Sequence, residues 1–326
     1  MLRILATALL CLSAGTAAAQ TPNSAAAYPN KAIRIIVTFP PGGSSDTVGR
    51  IIGQKLSEKL GQPVIIENRP GGGGSIGVDA VVKAAPDGYT LVLGAAGGLA
   101  LNTILYKKLP YDPTTDLAPI TRLVTSPMIV AINPALTPVA SVQELVALIR
   151  AKPGQLAFAS GGTGTGMHLA GELFKVMSAS NMFHVPYKGN GPALTDLIGG
   201  QVPIAFTDFG STPPFTRGGR VKVLAVASPT RSRLAPDVPS ATEAGLAGWE
   251  ALGWFGFAAP AGTPPEIVNK LSAEVTAILR QPEVVEKILA TGNEPAPMTP
   301  EEFGNYIRSE IARWGKVVAA SGIPIE

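Results

Sequence analysis

The stretch Thr38-Phe39-Pro40-Pro41-Gly42-Gly43-Ser44-Ser45-Asp46 decides how this chain is read. It follows Ile33 to Thr38, an apolar run that reads as a buried strand. It precedes Val48, Ile51, Ile52, Leu56 and Leu60, which recur at helical spacing. Glycine and hydroxyl residues fill the turn, and no Lys or Arg lies inside it. Glycines let the main chain approach a ligand closely. Free N–H groups at the start of a helix then face an anion with the positive end of the helix dipole. A second stretch, Ala159-Ser160-Gly161-Gly162-Thr163-Gly164-Thr165-Gly166-Met167-His168, has the same design. It follows Leu156 to Ala159 and precedes Leu169, Ala170, Leu173, Phe174 and Met177 on one helical face. Two anion cradles so far apart in sequence predict two lobes closing on one ligand.

Outward from the first cradle, Val64 to Glu67 and Thr90 to Leu93 read as further strands. Helical patterns separate them, and Gly61 suits a helix C-cap. Asn68-Arg69-Pro70 and Gly71 to Gly74 lead into a helix over Ser75 to Ala84. Strand–helix alternation predicts an α/β fold with a mostly parallel sheet covered on both faces. Ligands then bind beyond the carboxyl ends of the strands, where the Gly-rich turns fall. Ile120 to Ile132 is extended and apolar, and reads as the passage from the first lobe to the second. Trp249 to Ala259, rich in aromatics and glycine, reads as the return. Ser141 with Glu144, Thr263 with Glu266, and Thr299 with Glu302 match capping boxes. Pro192 suits the first position of a helix.

The chain has 326 residues, 46% hydrophobic and 15% charged, which marks it as packed and globular. Its formal charge of +3 is not gathered into basic runs, which argues against nucleic-acid binding. Met1-Leu2-Arg3, the apolar Ile4 to Leu12 and Ala17-Ala18-Ala19 before Gln20 read as a signal peptide over residues 1–19. The apolar run is shorter than the roughly 20 residues a span requires. Cys11 would suit a lipoprotein, but Leu10 precedes it where a small residue is expected. The mature chain then holds no cysteine, so neither a disulfide nor thiol chemistry is expected. The protein is expected to be soluble and exported.

Many stretches carry a resemblance to one family. Tyr28-Pro29, Ile35 to Asp46, Leu60-Gly61-Gln62-Pro63-Val64, Glu67-Asn68-Arg69-Pro70-Gly71 and Pro86-Asp87-Gly88-Tyr89-Thr90-Leu91 are similar to the Bug (TctC-type) family. These are extracytoplasmic receptors of tripartite tricarboxylate transporters. Leu109-Pro110-Tyr111-Asp112-Pro113, His168-Leu169-Ala170, His184-Val185-Pro186-Tyr187-Lys188-Gly189 and Ala259-Pro260-Ala261-Gly262-Thr263-Pro264 continue the likeness across the mature chain. The resemblance implies a two-lobed periplasmic-binding-protein fold of type II with a double crossover. It places residues 28–125 plus 252–326 in lobe 1 and residues 126–251 in lobe 2. It implies a periplasmic monomer that takes a small carboxylate (a dicarboxylate, an amino acid or an aromatic acid) and presents it to transporter membrane subunits. Both cradles would pinch the carboxylate through main-chain groups and ordered water. The chain departs from the family pattern at Gly166, where serine is common, so that position supplies no hydroxyl.

The candidate ligand-binding residues are Gly42, Gly43, Ser44 and Ser45 in the first cradle, and Ser160, Gly161, Thr163, Gly164 and Thr165 in the second. Tyr187 and Asp208, at a loop and a strand end, are candidates for the ligand's far end. Asp46 reads as a helix cap, since a bare carboxylate would repel an anionic ligand. Arg69 precedes Pro70 and reads as a brace. His168 sits in a first helical turn, a poor place for a cation, and reads as a neutral hydrogen-bonder, as does His184. Neither a metal, a cofactor nor a catalytic residue is expected. The dinucleotide spacing, the phosphate-loop Gly-Lys-Ser/Thr and the Gly-x-Ser-x-Gly elbow are missing. Delivery of the ligand signal to a sensor kinase, and an exported α/β hydrolase, are the alternative readings.

Overall fold

The computed structural model describes residues 28–212 and 218–321. The segment read as a signal peptide lies outside them. Ten strands run in order: β1 (Ile33–Val37), β2 (Val64–Asn68), β3 (Thr90–Ala95), β4 (Leu117–Ile132), β5 (Ala157–Ser160), β6 (Phe183–Pro186), β7 (Ile204–Asp208), β8 (Lys222–Val226), β9 (Leu252–Pro260) and β10 (Glu294–Pro295). Between them lie α1 (Ser44–Leu60), α2 (Ser75–Val82), α3 (Asn102–Leu105), α4 (Val142–Ala151), α5 (Gly166–Ser178) and α6 (Asn190–Ile198). Helices Pro265–Leu279, Pro282–Leu289 and Pro300–Ser321 follow β9.

The strands pair in one path, β2-β1-β3-β9-β4-β7-β5-β6, with β8 and β10 also on β4. β4 belongs to two sheets. From Leu117 to Pro127 it runs antiparallel to β9. From Met128 to Ile132 it runs antiparallel to β7, and β8 flanks its other side. The two sheets therefore have one design: β2-β1-β3-β9-β4 in the first and β6-β5-β7-β4-β8 in the second. Within each, the first three strands are parallel and the fourth is antiparallel. The extended reading of Ile120 to Ile132 is met by β4. That of Trp249 to Ala259 is met by β9, which is joined to the second sheet where the Ala251 amide donates to the Ala227 carbonyl (3.0 Å).

Local chemistry accounts for the element ends. Gly61, at φ 68°, closes α1 with its N–H on the Ser57 carbonyl (3.0 Å). Thr299 and Glu302 exchange side-chain-to-amide bonds of 3.2 and 2.8 Å, a complete capping box. Ser141 caps α4 through the Glu144 amide, and Glu144 reaches back to Ala140. Thr263 departs from expectation. Its hydroxyl donates to the Pro260 carbonyl (2.8 Å), and the proline-led helix after it has no side-chain cap. Pro192 also departs, as the third residue of α6.

One core joins the sheets. Phe158, Phe174, Phe206 and Trp249 interlock edge to face in the second, and the Trp249 indole donates to the Ala170 carbonyl (2.9 Å). Such aromatic pairs add about 0.5–1.5 kcal/mol each beyond area burial. The helix Pro300–Ser321 packs on α5 as well as on α3 and β4, so it touches both sheets. Trp254 and Trp314 both donate to Oε2 of the buried Glu310. Gly256 leaves room for this helix, because a Cβ there would lie 2.2 Å from Phe303.

Candidate functional site

The carboxyl ends of β1, β3, β5, β6 and β7 all face one cavity of about 970 Å³. Its wall includes Gly42, Gly43, Ser44 and Ser45 from the first cradle, and Thr163, Gly164, Thr165, Gly166 and Met167 from the second. The two cradles, read separately in sequence, thus lie on opposite sides of one space.

In the first cradle, Gly42 adopts φ 83°, which turns the chain from β1 into α1. The first intrahelical bond runs from the Thr47 amide to the Gly43 carbonyl (2.9 Å). The amides of Ser44, Ser45 and Asp46 precede it and have no acceptor within the helix. The Ser44 hydroxyl accepts from Asn293 Nδ2 (2.6 Å). Asp46 is buried and turned away from the cavity. Its carboxylate accepts from the Gly42 amide (2.9 Å), from Asn68 (3.0 Å) and, on both oxygens, from Arg50 (3.0 and 2.9 Å). Burial alone would raise its pKa. The bonds from Arg50, Gly42 and Asn68 outweigh burial and lower it to about 2. Asp46 therefore braces the loop by reaching back to Gly42, while Gly43 is the residue in the cap position.

In the second cradle, Thr165 caps α5. Its hydroxyl accepts from the His168 amide (3.3 Å) and donates to the Gly162 carbonyl (2.7 Å). The first intrahelical bond is Leu169 to Thr165 (3.0 Å), so the Gly166 and Met167 amides have no acceptor within the helix. The Gly164 amide donates to His168 Nδ1 (3.1 Å), which fixes that ring nitrogen as an acceptor. Thr163 is the exposed member of the loop.

Ser160, Gly161 and Tyr187 are not brought to the cavity wall. Ser160 ends β5 pointing inward and is fully buried, its hydroxyl 2.6 Å from His184 Nε2. Gly161 packs closely behind Met167, since a Cβ there would meet Met167 Sδ at 2.8 Å and displace that side chain. The Tyr187 hydroxyl donates to Asp196 (2.7 Å), and burial, then that partner, pushes its pKa up to about 12. Asp208, at the end of β7, does line the cavity and accepts from Asn190 Nδ2. Arg69 turns to Glu67 and is not part of the wall.

The sequence reading missed several wall residues. Asn102 ties α3 to the Gly72 and Gly73 carbonyls and brings Gly73 to the wall. Asn190 opens α6 after Gly189 (φ 109°), a third strand–turn–helix junction that the same cradle logic could have found. Phe39 belongs to the first cradle stretch but carries no donor, and Tyr106, Phe255, Met128 and Thr291 arrive from separate elements, with no local signal. Among the described residues the lining includes no lysine or arginine, and Asp208 is the charged one. Neutral donors and helix N-termini on both sides, around a largely apolar space, suit a small anion with an uncharged body.

The sequence matches the family described as tripartite tricarboxylate transporter family receptor, TctC, over residues 48–323. Protein BugT of Bordetella pertussis is 38% identical over 327 residues, covering 100% of this chain and 99% of that protein. A solved R. palustris protein with adipate is 35% identical at a TM-score of 0.82, covering 91% of this chain and 99% of that one. MatC from Rhodopseudomonas palustris, with bound malate, is 33% identical at a TM-score of 0.76, covering 89% and 100%.

Proposed function

The chain belongs to the tripartite tricarboxylate transporter receptor (TctC) family of periplasmic solute-binding proteins, and on that footing we propose that it binds a small carboxylate between its two lobes and presents it to the membrane subunits of such a transporter. The observation that carries this reading is the meeting of two helix N-termini, α1 and α5, on one cavity whose described wall residues include no lysine or arginine. The carboxylate sits between them. It accepts from the amides of Ser44 and Ser45 on one side and of Gly166 and Met167 on the other, with the Thr163 hydroxyl and ordered water completing its shell. Gly42, Gly43, Gly164 and Thr165 shape the two loops, and Asp208 faces the ligand's far end. Ser160, Gly161 and Tyr187 brace the second cradle from behind.

Hydrogen bonds to a charged group are worth about 1.5–3 kcal/mol each. A few of them support micromolar binding, about −8 kcal/mol, after association costs. Solved relatives that hold adipate and malate support the carboxylate assignment. The lobes are residues 28–125 plus 252–326 and residues 126–251, supported by the change of β4 partners after Pro127 and by the start of β9 at Leu252. Closure bends the chain at these crossings. Export by cleavage near Ala19 delivers the protein to the periplasm.

Titration calorimetry against mono- and dicarboxylates, amino acids and aromatic acids tests the reading. Saturable binding of an acid that is recovered unchanged is expected. Turnover of the acid, or no binding across the panel, would sink it.

A further inference from the structure

Resting on the carboxylate reading, we propose that the remainder of the ligand is a ring, or an apolar body of ring size. It seats against Phe39, Tyr106 and Phe255, and these side chains select against short polar di-acids.

The three aromatics come from three elements. Phe39 follows β1, Tyr106 follows α3, and Phe255 lies in β9. All three line the cavity and are only half-buried. Phe158, Phe206, Phe257 and Phe303, by contrast, are fully buried in the core, while Phe183 of β6 is exposed away from the cavity wall. Phe39, Tyr106 and Phe255 thus leave apolar ring surface facing the cavity, the surface that a ring-bearing ligand would cover. Met128 and Met167 also line the space, and the flexible thioether of the less buried Met167 adapts to a ring and contacts it favourably.

The space has room for a ring. A cavity of about 970 Å³ equals the liquid volume of roughly thirty water molecules, at about 30 Å³ each. Lobe closure cannot take up this volume at will, because the proposed lobes already touch beside it at Gly164 and Leu105 and at Gly210 and Gly292. A Cβ built on Gly164 would lie 3.0 Å from Leu105 Cδ1, and one built on Gly292 would lie 2.0 Å from Gly210 Cα. Among the described residues the wall also supplies no lysine or arginine to receive a second carboxylate.

Calorimetry with benzoate, phenylacetate and cyclohexanecarboxylate, set against succinate, malate and adipate, tests the seat. At least one ring acid should bind about tenfold tighter than every di-acid, the scale on which a hydrophobic pocket discriminates. Tyr106→Ala and Phe39→Ala should each weaken that ring acid about tenfold, and change the di-acids by less than about threefold. Tyr106→Leu and Phe39→Leu, which keep most of the volume, serve if the alanine variants lose their fold. The proposal is overturned if no ring acid binds, if a di-acid binds tightest, or if the variants weaken both classes alike. The methyl ester of the best ring acid separates the two readings. If ester and acid bind equally while the aromatic variants still weaken both, the ring seat stands and the carboxylate cradle falls.

Discussion

The imidazole of His168 lies flat on that of His184, with centroids 3.9 Å apart and planes 16° from parallel. Phe158 stacks beyond His184 at 4.9 Å. Each histidine holds part of the second cradle: His168 the Gly164 amide, His184 the Ser160 hydroxyl. Burial, and then nearby Lys175, lowers the pKa of His168 to about 4. Burial, His168 and Lys175 together lower that of His184 to about 3. Glu172 stands 3.7 Å from His168 Nε2, but its carboxylate is held by Lys175. The back wall of the site is therefore an uncharged pair of rings.

A pH dependence of stability follows. Above about pH 6.5, the ordinary histidine pKa, both states are neutral here and the pair contributes no slope. Below it the unfolded chain takes up protons that the native stack refuses, so stability falls with pH down to about 4. The slope is up to about 1.4 kcal/mol per pH unit for each histidine. Urea unfolding at about pH 7.5 and about pH 5 should show the lower midpoint in acid, and His184→Gln should flatten the difference. An unchanged midpoint would remove the neutral stack from the account.

Asp46→Ala removes the carboxylate that joins Gly42, Asn68 and Arg50. Buried donors left without an acceptor cost about 1–3 kcal/mol. The variant should melt lower by that amount and bind its acid more weakly, because the loop from Pro40 to Ser44 loses its anchor. A full loss of stability with unaltered affinity would show that the loop holds its shape without Asp46.

Gly210 and Gly292 meet backbone to backbone across the proposed lobe boundary. Gly292 also adopts φ 75°, where a side chain is strained. Gly292→Ala should cost more than about 1 kcal/mol and, by wedging the lobes apart, raise the dissociation constant of any cognate acid. Differential scanning calorimetry and ligand titration read the two effects separately. Wild-type affinity in the variant would mean that this contact does not limit closure.

Much of this fold is legible in the order of residues. The switch from a run of isoleucines to helical spacing across Gly42 to Asp46 marks a strand–turn–helix unit, and its recurrence at Ser160 to Gly166 marks a second. Ile120 to Ile132, largely apolar and closing on Met128-Ile129-Val130-Ala131-Ile132, announces a strand buried between neighbours, and β4 is that strand. The site is less legible. Ser160 and Tyr187 have donor side chains at the right strand ends, but tertiary partners, His184 and Asp196, claim them. Thr291 and Phe255 reach the cavity only because the chain returns through β9 and the helix Pro282–Leu289. Nothing local in their sequence marks that arrival.

Thr163→Glu places a carboxylate on the exposed lip of the second cradle. A like charge beside the bound anion should weaken binding at least about tenfold, the effect of about 1.4 kcal/mol. It should leave thermal stability near wild type, since Thr163 is exposed. Equal affinity in the variant would place the ligand's charge elsewhere in the cavity.

The central claim is that main-chain amides of two helix N-termini recognise a carboxylate without a cation. Calorimetric titration of one protein preparation with a cognate acid and with its methyl ester tests it most directly. The account predicts micromolar binding for the acid and at least about a hundredfold weaker binding for the ester, which discards the charge-assisted bonds. Equal affinity for the two would contradict it.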